Sequence, residues 1–595
     1  MQGIKDYLLS VRFVLRYSFR FVPGSTFVMS VLSVVAGILP YIGAFLLGTL
    51  VNAILKGTQV GSYVGIWSVL VLYAFVTSMP TIVGNLQLYV NRRRMLTLQM
   101  ETDLDFLKQR EKIDIASYED PQFQDLIQRT FRNGANPTFQ LGNAQFDIIR
   151  ALVSFVVGTV LAIHFNFLVY FVVIVTAIPA FLMDVKYAGK SWNIWSKDSP
   201  EQRRLADLRT HITFRIPLIE TKLLQSGKRL LLLMRKILSD FATVQLSLEK
   251  KRLLHASSTD ILALIGFTAG LFLVVRSVVS GQFQVGTLVY IMTTLSNVRN
   301  SIANLLETIS GQYENHLIVR DMITFMNTGP VIIESAKPTV LDLSSVPEIT
   351  FKNVSFKYSN SEKYSLRNIS LTLQSGNKIG LVGNNGAGKT TFVKLLCRIY
   401  DPTEGTILIN GIDLREISLE EWWSYLAVMF QDYANYDFLA KEAIAIGRSE
   451  KSLDLKKVIE AAEISQSHTF ISEWKDKYDQ QMGVEFGGKE PSKGQRQKLS
   501  IAKIIYRNAL VMILDEPTAS VDAEAEAKIF NSIENLSKNT TALLISHDFS
   551  TISECDQIFV LEEGYLIEEG NHIELMKKIG KYAELYNLQA KRFKK

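Results

Sequence analysis

The sequence predicts a multi-domain protein in which an α-helical domain of six membrane spans is followed by an α/β domain. With 595 residues, the chain is too long for one hydrophobic core. Its first half contains long uncharged intervals, and its second half alternates strand-like and helix-like stretches. The hydrophobic fraction is an ordinary 48%, yet the mean hydropathy is positive. The apolar residues are therefore expected to be concentrated in one part of the chain.

The first two spans follow from two intervals without a charged residue. Residues 21–55 carry no charge, and after Lys56 none appears until Arg92. Each interval exceeds the roughly 20 residues that cross a bilayer core. A soluble helical domain would not easily bury two such runs. Because the first run is much longer than a signal-peptide core and is followed by further spans, we expect it to remain as an anchor.

Four further spans complete the set of six. The uncharged residues 151–183 contain a polar turn at His164, which predicts a pair of helices, the first of them beginning near Gly142. The fifth and sixth spans are expected near residues 254–278 and 285–306. Charged helical stretches between the spans are interpreted as cytoplasmic extensions.

The distribution of positive charge predicts that both termini lie in the cytoplasm. Lys and Arg cluster before the first span, after the second and after the fourth, whereas the opposite turns hold few, chiefly Lys56 and Arg276. Positive residues beside a span favour the cytoplasmic side. The predicted location is therefore the cytoplasmic membrane, crossed several times, with the α/β domain in the cytoplasm.

Net charge and cysteine usage argue against two kinds of chemistry. The formal net charge of +6 is explained by basic loops beside anionic lipid, since no compact basic patch with interleaved aromatics occurs. We therefore expect a lipid bilayer as a partner, and no nucleic acid. The two cysteines, Cys397 and Cys555, both fall in the part predicted to be cytoplasmic. A disulfide between them is not expected there.

A composition change separates the two domains. Residues 329–347 contain Pro, Ser and Gly without a clear period, which indicates a linker. The predicted transmembrane domain is therefore 1–328, and the α/β domain is 348–595. Strand-like patterns in the α/β domain occur at residues 349–354, 365–373, 378–382 and 510–514.

One glycine-rich segment of the α/β domain matches the pattern of a phosphate-binding loop. It follows a strand-like run and precedes a helix-like run from Thr391, which is the context that the pattern requires. The glycines let backbone N–H groups surround phosphates, Lys389 would reach the β- and γ-phosphates, and the Thr390 hydroxyl would coordinate Mg²⁺. The loop consists of Gly383, Asn384, Asn385, Gly386, Ala387, Gly388, Lys389 and Thr390.

Two adjacent carboxylates follow a second buried-strand pattern. Residues 510–514 are apolar, and Asp515 and Glu516 come directly after them. In phosphoryl transfer, one acid at such a strand end helps to hold Mg²⁺ and a second can polarise the attacking water. An acidic pair alone is more often a solvated strand end. Together with the phosphate loop, the pair predicts a metal ligand at Asp515 and a catalytic carboxylate at Glu516.

With five further motifs in the expected order, these residues resemble the ATP-binding-cassette (ABC) transporter family. Tyr358 is placed like the aromatic that stacks on adenine, and Gln431 is placed like the glutamine that couples nucleotide to the transmembrane helices. The signature motif corresponds to Ser492, Lys493, Gly494 and Gln495. Asp522 is placed like a residue of the dimer-contact loop, and His547 is placed like the switch histidine.

The resemblance implies a complete set of roles. ATP would be contacted by the phosphate loop, Thr391, Tyr358, the signature residues and Asp522. Mg²⁺ would be held by Thr390, Gln431 and Asp515. Catalysis would fall to Glu516, His547 and Gln431. Family members sandwich two ATP molecules between two cassettes, so the single set in this chain implies a dimer, either with a second copy or with a paralogous half-transporter.

Six spans fused ahead of one cassette resemble a type IV ABC exporter half-transporter, with a helical transmembrane domain followed by an α/β P-loop ATPase. Residues 118–123 and 485–490 resemble the lantibiotic and peptide exporter-like branch. ATP-driven export of a peptide-like or amphipathic substrate is therefore expected, with coupling helices near 118–129 and 214–224. A lipid or multidrug exporter of the same architecture remains an alternative. A soluble-type ATPase with a membrane anchor is disfavoured, because an anchor needs only one span.

The signature motif departs from the family pattern in two places. Pro491 and Lys493 stand where the family usually has leucine and glycine. Proline is tolerated just before a helix begins, so Pro491 is compatible with an active site. Lys493 would either point along the partner's nucleotide or away from it. Because Ser492, Gly494 and Gln495 are retained, we expect an active homodimer.

Overall fold

The structure is a computed structural model. The chain forms two compact units. The first unit comprises Met1–Ile113 and Pro121–Gly329, and the second comprises Asp114–Asp120 and Pro330–Lys595. The described residues are 2–61, 63, 65–131, 134, 136–195, 200–341, 345–359, 361–448, 452–517, 540–546 and 548–593.

All of the regular secondary structure described in the first unit is helical. Its helices, together with α4 of the second unit, are α1 (Gln2–Phe21), α2 (Pro23–Val60), α3 (Ile66–Lys112), α4 (Ile115–Tyr118), α5 (Pro121–Phe131), α6 (Asn136–Phe165), α7 (Phe167–Trp195), α8 (Pro200–Thr213), α9 (Arg215–Leu223), α10 (Gly227–Val279), α11 (Val285–Gly311) and α12 (Tyr313–Met326).

Helices occupy all six positions predicted for membrane spans. Four of them, α2, α3, α6 and α10, are long and apolar enough to cross a bilayer. The other two positions are occupied by α7, with 29 residues, and α11, with 27 residues. At about 1.5 Å per residue, both helices exceed the roughly 30 Å of a bilayer core. The number six for the crossing helices stays a prediction.

Small residues let the long helices approach closely. A Cβ atom added at Gly286 of α11 would lie 2.0 Å from the carbonyl oxygen of Gly48 in α2. A Cβ atom at Gly158 of α6 would lie 2.3 Å from the hydroxyl of Tyr41 and 2.4 Å from a methyl of Val298. In a bilayer, helices associate through such close packing, since apolar burial alone does not favour the contact.

The membrane orientation is open to a direct test with introduced cysteines. We expect Lys56→Cys, exposed near the C-terminal end of α2, to react with an impermeant thiol reagent added to intact cells, because this end of the helix is predicted to face outward. Trp195→Cys should react only after the cells are opened. The native Cys397 and Cys555 are buried and should give little background. Labelling at position 195 from outside intact cells would contradict the orientation.

The second unit is built on two sheets. The strands are β1 (Ile349–Phe356), β2 (Leu366–Leu373), β3 (Lys378–Val382), β4 (Glu404–Ile409), β5 (Ile412–Asp413), β6 (Leu426–Met429), β7 (Val511–Asp515), β8 (Thr541–Ile545), β9 (Gln557–Glu562) and β10 (Tyr565–Gly570). One sheet has the order β2-β1-β4-β5 and is antiparallel. The other has the order β10-β9-β3-β8-β7-β6, and its strands are parallel except for β10.

The central strands of the parallel sheet, β3, β7 and β8, are buried on both faces. The α-helices described in this unit after β3 are α13 (Lys389–Leu396), α14 (Leu419–Ser424), α15 (Ala440–Ala445), α16 (Leu455–Ile464), α17 (His468–Ser472), α18 (Lys493–Arg507), α19 (Phe549–Ile552), α20 (His572–Lys578) and α21 (Lys581–Phe593). This α/β architecture confirms the predicted fold class of the second domain. The strand-like patterns at 349–354, 365–373, 378–382 and 510–514 correspond to β1, β2, β3 and β7.

The register of the parallel sheet brings two distant loops to one edge. Leu544 of β8 pairs with Gly380 of β3 on one side and with Leu514 of β7 on the other. The carboxyl ends of β3 and β7 therefore lie at the same level, two strands or about 10 Å apart. Ligands of open α/β sheets bind at this edge, so the segments that follow β3 and β7 are placed to share one site.

The short segment 114–120 belongs to the second unit although it comes from the middle of the helical part of the chain. The Nζ atom of Lys394 lies 2.6 Å from a carboxylate oxygen of Glu119, and the hydroxyl of Tyr400 also donates to that carboxylate. Nearby, the amide of Ile332 donates to Asp114 over 2.8 Å. These contacts attach the seven residues 114–120 to the rest of the second unit.

Candidate functional site

A cavity of about 970 Å³ opens at the carboxyl ends of β3 and β7. It collects side chains from segments that are far apart in the sequence, and most of the predicted phosphate loop is among them. The lining residues are Ser361, Lys363, Tyr364, Ser365, Asn384, Asn385, Gly386, Ala387, Gly388, Lys389, Thr390, Thr391, Gln431, Asp515, Glu516, Glu562 and Glu563.

The loop between β3 and α13 has the backbone form that the glycine pattern predicts. Gly388 is the N-cap of α13 with a φ of 105°, which side chains with a Cβ atom rarely adopt. A Cβ atom there would also lie 2.8 Å from the carbonyl oxygen of Ser365 and 2.6 Å from a methyl of Leu366. The helix therefore begins directly at Lys389, and its N-terminal N–H groups are available to an anion.

Lys389 lies at the mouth of the loop. Its ammonium donates to the carbonyl oxygens of Gly383, over 2.6 Å, and of Asn384, over 3.2 Å. Burial lowers the pKa of Lys389, and the nearby carboxylates of Asp515 and Glu516 oppose that shift. The ammonium thus lies between the loop carbonyl oxygens and the acidic pair.

Asp515 and Glu516 have different environments. Asp515 is buried at the end of β7, and burial, with Glu516 adding to it, raises the pKa of this carboxyl to about 6, while Lys389 acts in the opposite direction. Glu516 comes just after the strand, with a φ of 51°. Its amide donates to the carbonyl oxygen of Ile545 over 2.8 Å. The backbone of β8 therefore holds Glu516 in a conformation that aims its side chain out of the sheet edge.

Two glutamines position the Glu516 segment. The side-chain amide of Gln431 donates to the Glu516 carboxylate over 3.0 Å, and that of Gln497 donates to its carbonyl oxygen over 3.2 Å. Gln431 was predicted from the sequence, and it lines the cavity. Gln497 is buried on α18 and was missed. A polar residue two positions after the signature motif was the available signal, but only the fold shows that its side chain reaches Glu516.

Of the two tyrosines near the antiparallel sheet, Tyr364 lines the cavity and Tyr358 does not. The Tyr358 hydroxyl lies 3.1 Å from that of Thr391, and its ring meets Tyr400 edge-on at 5.4 Å between centroids. The Nζ atom of Lys394 lies 5.5 Å from the Tyr358 ring. The predicted adenine-stacking role of Tyr358 stays a prediction, and Tyr364 is a second aromatic that the sequence did not single out.

The signature residues form a helix start. Ser492 is the N-cap of α18, accepting from the Gln495 amide over 3.3 Å, while the Gln495 side chain accepts from the Ser492 amide over 2.9 Å. The Ser492 and Lys493 side chains are exposed. None of these residues lines the cavity of the same chain. The signature residues of a chain therefore lie outside the cavity of that chain.

The remaining predicted residues are Asp522 and His547, and both lie outside the described residues. For Mg²⁺, the described part of the chain contains no cluster of three or more His, Cys, Asp or Glu side chains that could hold a metal ion. Mg²⁺ keeps several waters and takes few protein ligands when it binds with a phosphate. Thr390, Gln431 and Asp515 all line the cavity and fit such a mixed set of ligands.

The family model described as "ABC transporter" matches residues 366–519. Over nearly its whole length, the chain resembles a solved structure described as a bacterial Atm1-family ABC exporter with ATP bound, with a TM-score of 0.82, 21% identity, and coverage of 94% of this chain and 98% of that one. This likeness concerns the fold.

Two curated relatives match the chain along most of its length. The Subtilin transport ATP-binding protein SpaT of Bacillus subtilis is 25% identical over 93% of this chain and 90% of its own. The Nisin transport ATP-binding protein NisT of Lactococcus lactis is 24% identical, over 97% and 96%. An ATP-dependent lipid A-core flippase of Syntrophus aciditrophicus is 34% identical over 55% of this chain and 53% of its own.

Proposed function

Because the chain belongs to the ABC transporter family and has the fold of an ABC exporter, we propose that it works as a dimer which couples ATP hydrolysis to the export of a peptide-like or amphipathic substrate. The cavity that joins the phosphate loop to Asp515 and Glu516 supports the ATPase part of this proposal. The full-length similarity to two lantibiotic transport proteins supports the choice of substrate class.

In the proposed reaction, the chain's own groups bind ATP and orient water. The loop N–H groups and Lys389 hold the phosphates, while Thr390, Asp515 and Gln431 hold Mg²⁺, which neutralises charge on the transferred phosphoryl group. Glu516, fixed by Gln431 and the backbone of β8, would polarise the attacking water. His547 is proposed to contact the terminal phosphate, as the family motif implies.

The position of the signature helix supports the proposed dimer. Ser492 and the N-terminus of α18 are exposed, and they do not line the cavity of their own chain. An exposed hydroxyl at a helix N-terminus is suited to a phosphate brought by another molecule. We propose that this phosphate belongs to ATP in a second cassette, with Asp522 at the contact. Closing and reopening of the cassettes would then bias the transmembrane helices between two states.

The substrate class can be tested with purified protein in vesicles. Inside-out vesicles carrying the full chain would be given ATP and a set of fluorescent amphipathic peptides of differing charge. We expect ATP-dependent uptake of at least one peptide, and no uptake with Glu516→Gln. A second assay follows a fluorescent phospholipid between leaflets of the same vesicles. Lipid movement without peptide uptake would contradict peptide export and favour the flippase alternative, which the similarity to the lipid A-core flippase raises.

Lys493 stands where the signature motif usually has glycine, and we expect its replacement to have a small effect on turnover. Lys493 is exposed at the first position of α18, so its side chain can turn away from a bound phosphate. We therefore expect Lys493→Gly to change the ATPase turnover of the purified chain by less than about tenfold, or roughly 1.4 kcal/mol in barrier. The measurement is steady-state ATP hydrolysis by the chain alone. If the chain binds ATP but hydrolyses none without a different second subunit, the homodimer is wrong and a paralogous partner is required.

A further inference from the structure

An arginine of the helical unit carries a charge that no described carboxylate balances. Arg94, on α3, has no exposed surface. One of the three guanidinium nitrogens, Nη2, donates to the side-chain oxygens of Asn91 and Asn143. The other two, Nε and Nη1, are buried, and neither donates to any protein atom in the described part of the chain.

The surroundings of Arg94 compensate its charge only in part. The guanidinium lies 4.6 Å from the ring centroid of Phe146 and 5.6 Å from that of Phe139, both on α6. Aromatic faces attract a cation, but more weakly than a carboxylate does. The next acid along α3, Glu101, is two helical turns or about 10 Å away. A buried charge without a partner is unfavourable, so a negative charge beside the Arg94 guanidinium would be stabilising.

Arg94 lines a small cavity. It is lined by residues of α1, α3 and α6, including Ser18, Arg94 and Gly142. Ser18 is fully buried, and its hydroxyl has no partner among the described residues. A Cβ atom added at Gly142 would lie 2.9 Å from a methyl of Val14, 3.8 Å from Arg94 Nη1 and 4.0 Å from Ser18 Oγ. Both polar atoms therefore lie on the same side of Gly142, where a larger side chain would collide with Val14.

The dimensions of this cavity limit its occupant. Its volume of about 10 Å³ is room for a single small particle, either a water molecule or a monatomic ion. A phosphate, sulfate or carboxylate is too large. Of the small candidates, an anion is favoured over water, because it satisfies two N–H donors and a hydroxyl and also balances the guanidinium charge. The first two turns of α6 line the same cavity, and the positive end of that helix dipole adds to the preference.

We propose that this cavity is a binding site for one monatomic anion, with chloride as the occupant in the cell. The anion accepts hydrogen bonds from Arg94 and from the Ser18 hydroxyl, and it joins α1 and α6 to the long helix α3. Its role is to stabilise the packing of these three helices around a buried charge.

The site is tested on the full-length protein in detergent by replacing chloride with gluconate at constant ionic strength. Gluconate is too large for the cavity. We expect the midpoint of thermal unfolding to rise by a few degrees as chloride is added, in a saturable way, and bromide to act similarly. Arg94→Gln, which keeps polarity but removes the charge, should abolish this dependence. The control is Arg93→Gln, an exposed neighbour on the same helix, which should retain it.

Three results would overturn the proposal. One is an unfolding midpoint of the parent protein that does not differ between chloride and gluconate, which would mean that water occupies the cavity. Another is an unfolding midpoint of Arg94→Gln that still rises with chloride, which would mean that the anion binds elsewhere. If Arg94→Gln does not fold, Ser18→Ala decides, because the loss of one hydrogen bond should raise the half-saturating chloride concentration about three- to tenfold. An unchanged half-saturating concentration in this variant would count against the site.

Discussion

Replacing Glu516 by glutamine is expected to abolish ATP hydrolysis and to leave the binding of ATP and Mg²⁺ intact. The phosphate loop and Asp515 are unchanged by this substitution, and the amide of Gln431 still has an oxygen at position 516 to which it can donate. The backbone contact of residue 516 with Ile545 is also preserved. Only the carboxylate that polarises water is lost, so turnover should fall by at least about 100-fold.

The measurement for Glu516→Gln is steady-state ATP hydrolysis together with equilibrium binding of a fluorescent ATP analogue. A closed dimer that accumulates with ATP should also be visible by size or by cross-linking. Glu460→Gln, on the exposed surface of α16, is the matched control, because it removes the same charge without touching the cavity. Residual hydrolysis within threefold of the parent would show that Glu516 does not carry out the catalytic step.

The second large effect is expected at Gly388, where valine should abolish ATP binding. The φ of 105° is strained for any residue with a Cβ atom, and that atom would collide with the carbonyl oxygen of Ser365. The start of α13 must then shift, which moves the N–H groups and Lys389 away from the phosphates. We expect the affinity for ATP to fall by at least about 100-fold, measured by equilibrium binding.

The control for Gly388→Val separates backbone strain from damage to the site. Gly376 also has a positive φ, of 74°, but a Cβ atom there would meet nothing within 4 Å. It lies between β2 and β3 and does not line the cavity. Gly376→Ala should therefore cost about 1 kcal/mol of stability and leave ATP affinity unchanged. An ATP affinity of Gly388→Val within tenfold of the parent would show that the loop tolerates a side chain at its cap.

The sequence was sufficient for the parts of this protein that depend on local pattern. Uncharged intervals predict the helices of the first unit, because a bilayer core excludes charge over a known length. The phosphate loop is equally local, since its glycines, Lys389 and Thr390 are contiguous. That Asp515 would share a site with this loop could be inferred only from the pairing of the motifs. The sheet register supplies the reason, by aligning the ends of β3 and β7.

Features that depend on side-chain direction could not be predicted. Arg92, Arg93 and Arg94 are equivalent in the sequence, and all three served as evidence for a cytoplasmic segment. Only the rotation of α3 shows that Arg94 is the buried member. For Gln497, similarly, the contact with Glu516 requires the whole path of α18 and β7.

The expected first coupling helix, residues 118–129, also differs from the observed backbone. A short helix ends at Tyr118, and a second begins at Pro121. Proline is favoured in the first turn of a helix and unfavourable in its interior, where it removes a backbone hydrogen bond, which accounts for a new helix beginning at Pro121. The coupling role of this region stays a prediction.

The attachment of residues 114–120 to the second unit affects which fragment of this protein should be used to study the ATPase domain. A fragment that starts at residue 348 is the obvious one for studying the ATPase in solution, yet it would leave Lys394 and Tyr400 without the Glu119 carboxylate. The freed ammonium lies next to the ring of Tyr358, the residue proposed to stack on adenine. Nucleotide affinities measured on such a fragment would belong to an altered protein. A faithful minimal ATPase needs the 114–120 peptide restored, either in trans or fused through a flexible linker.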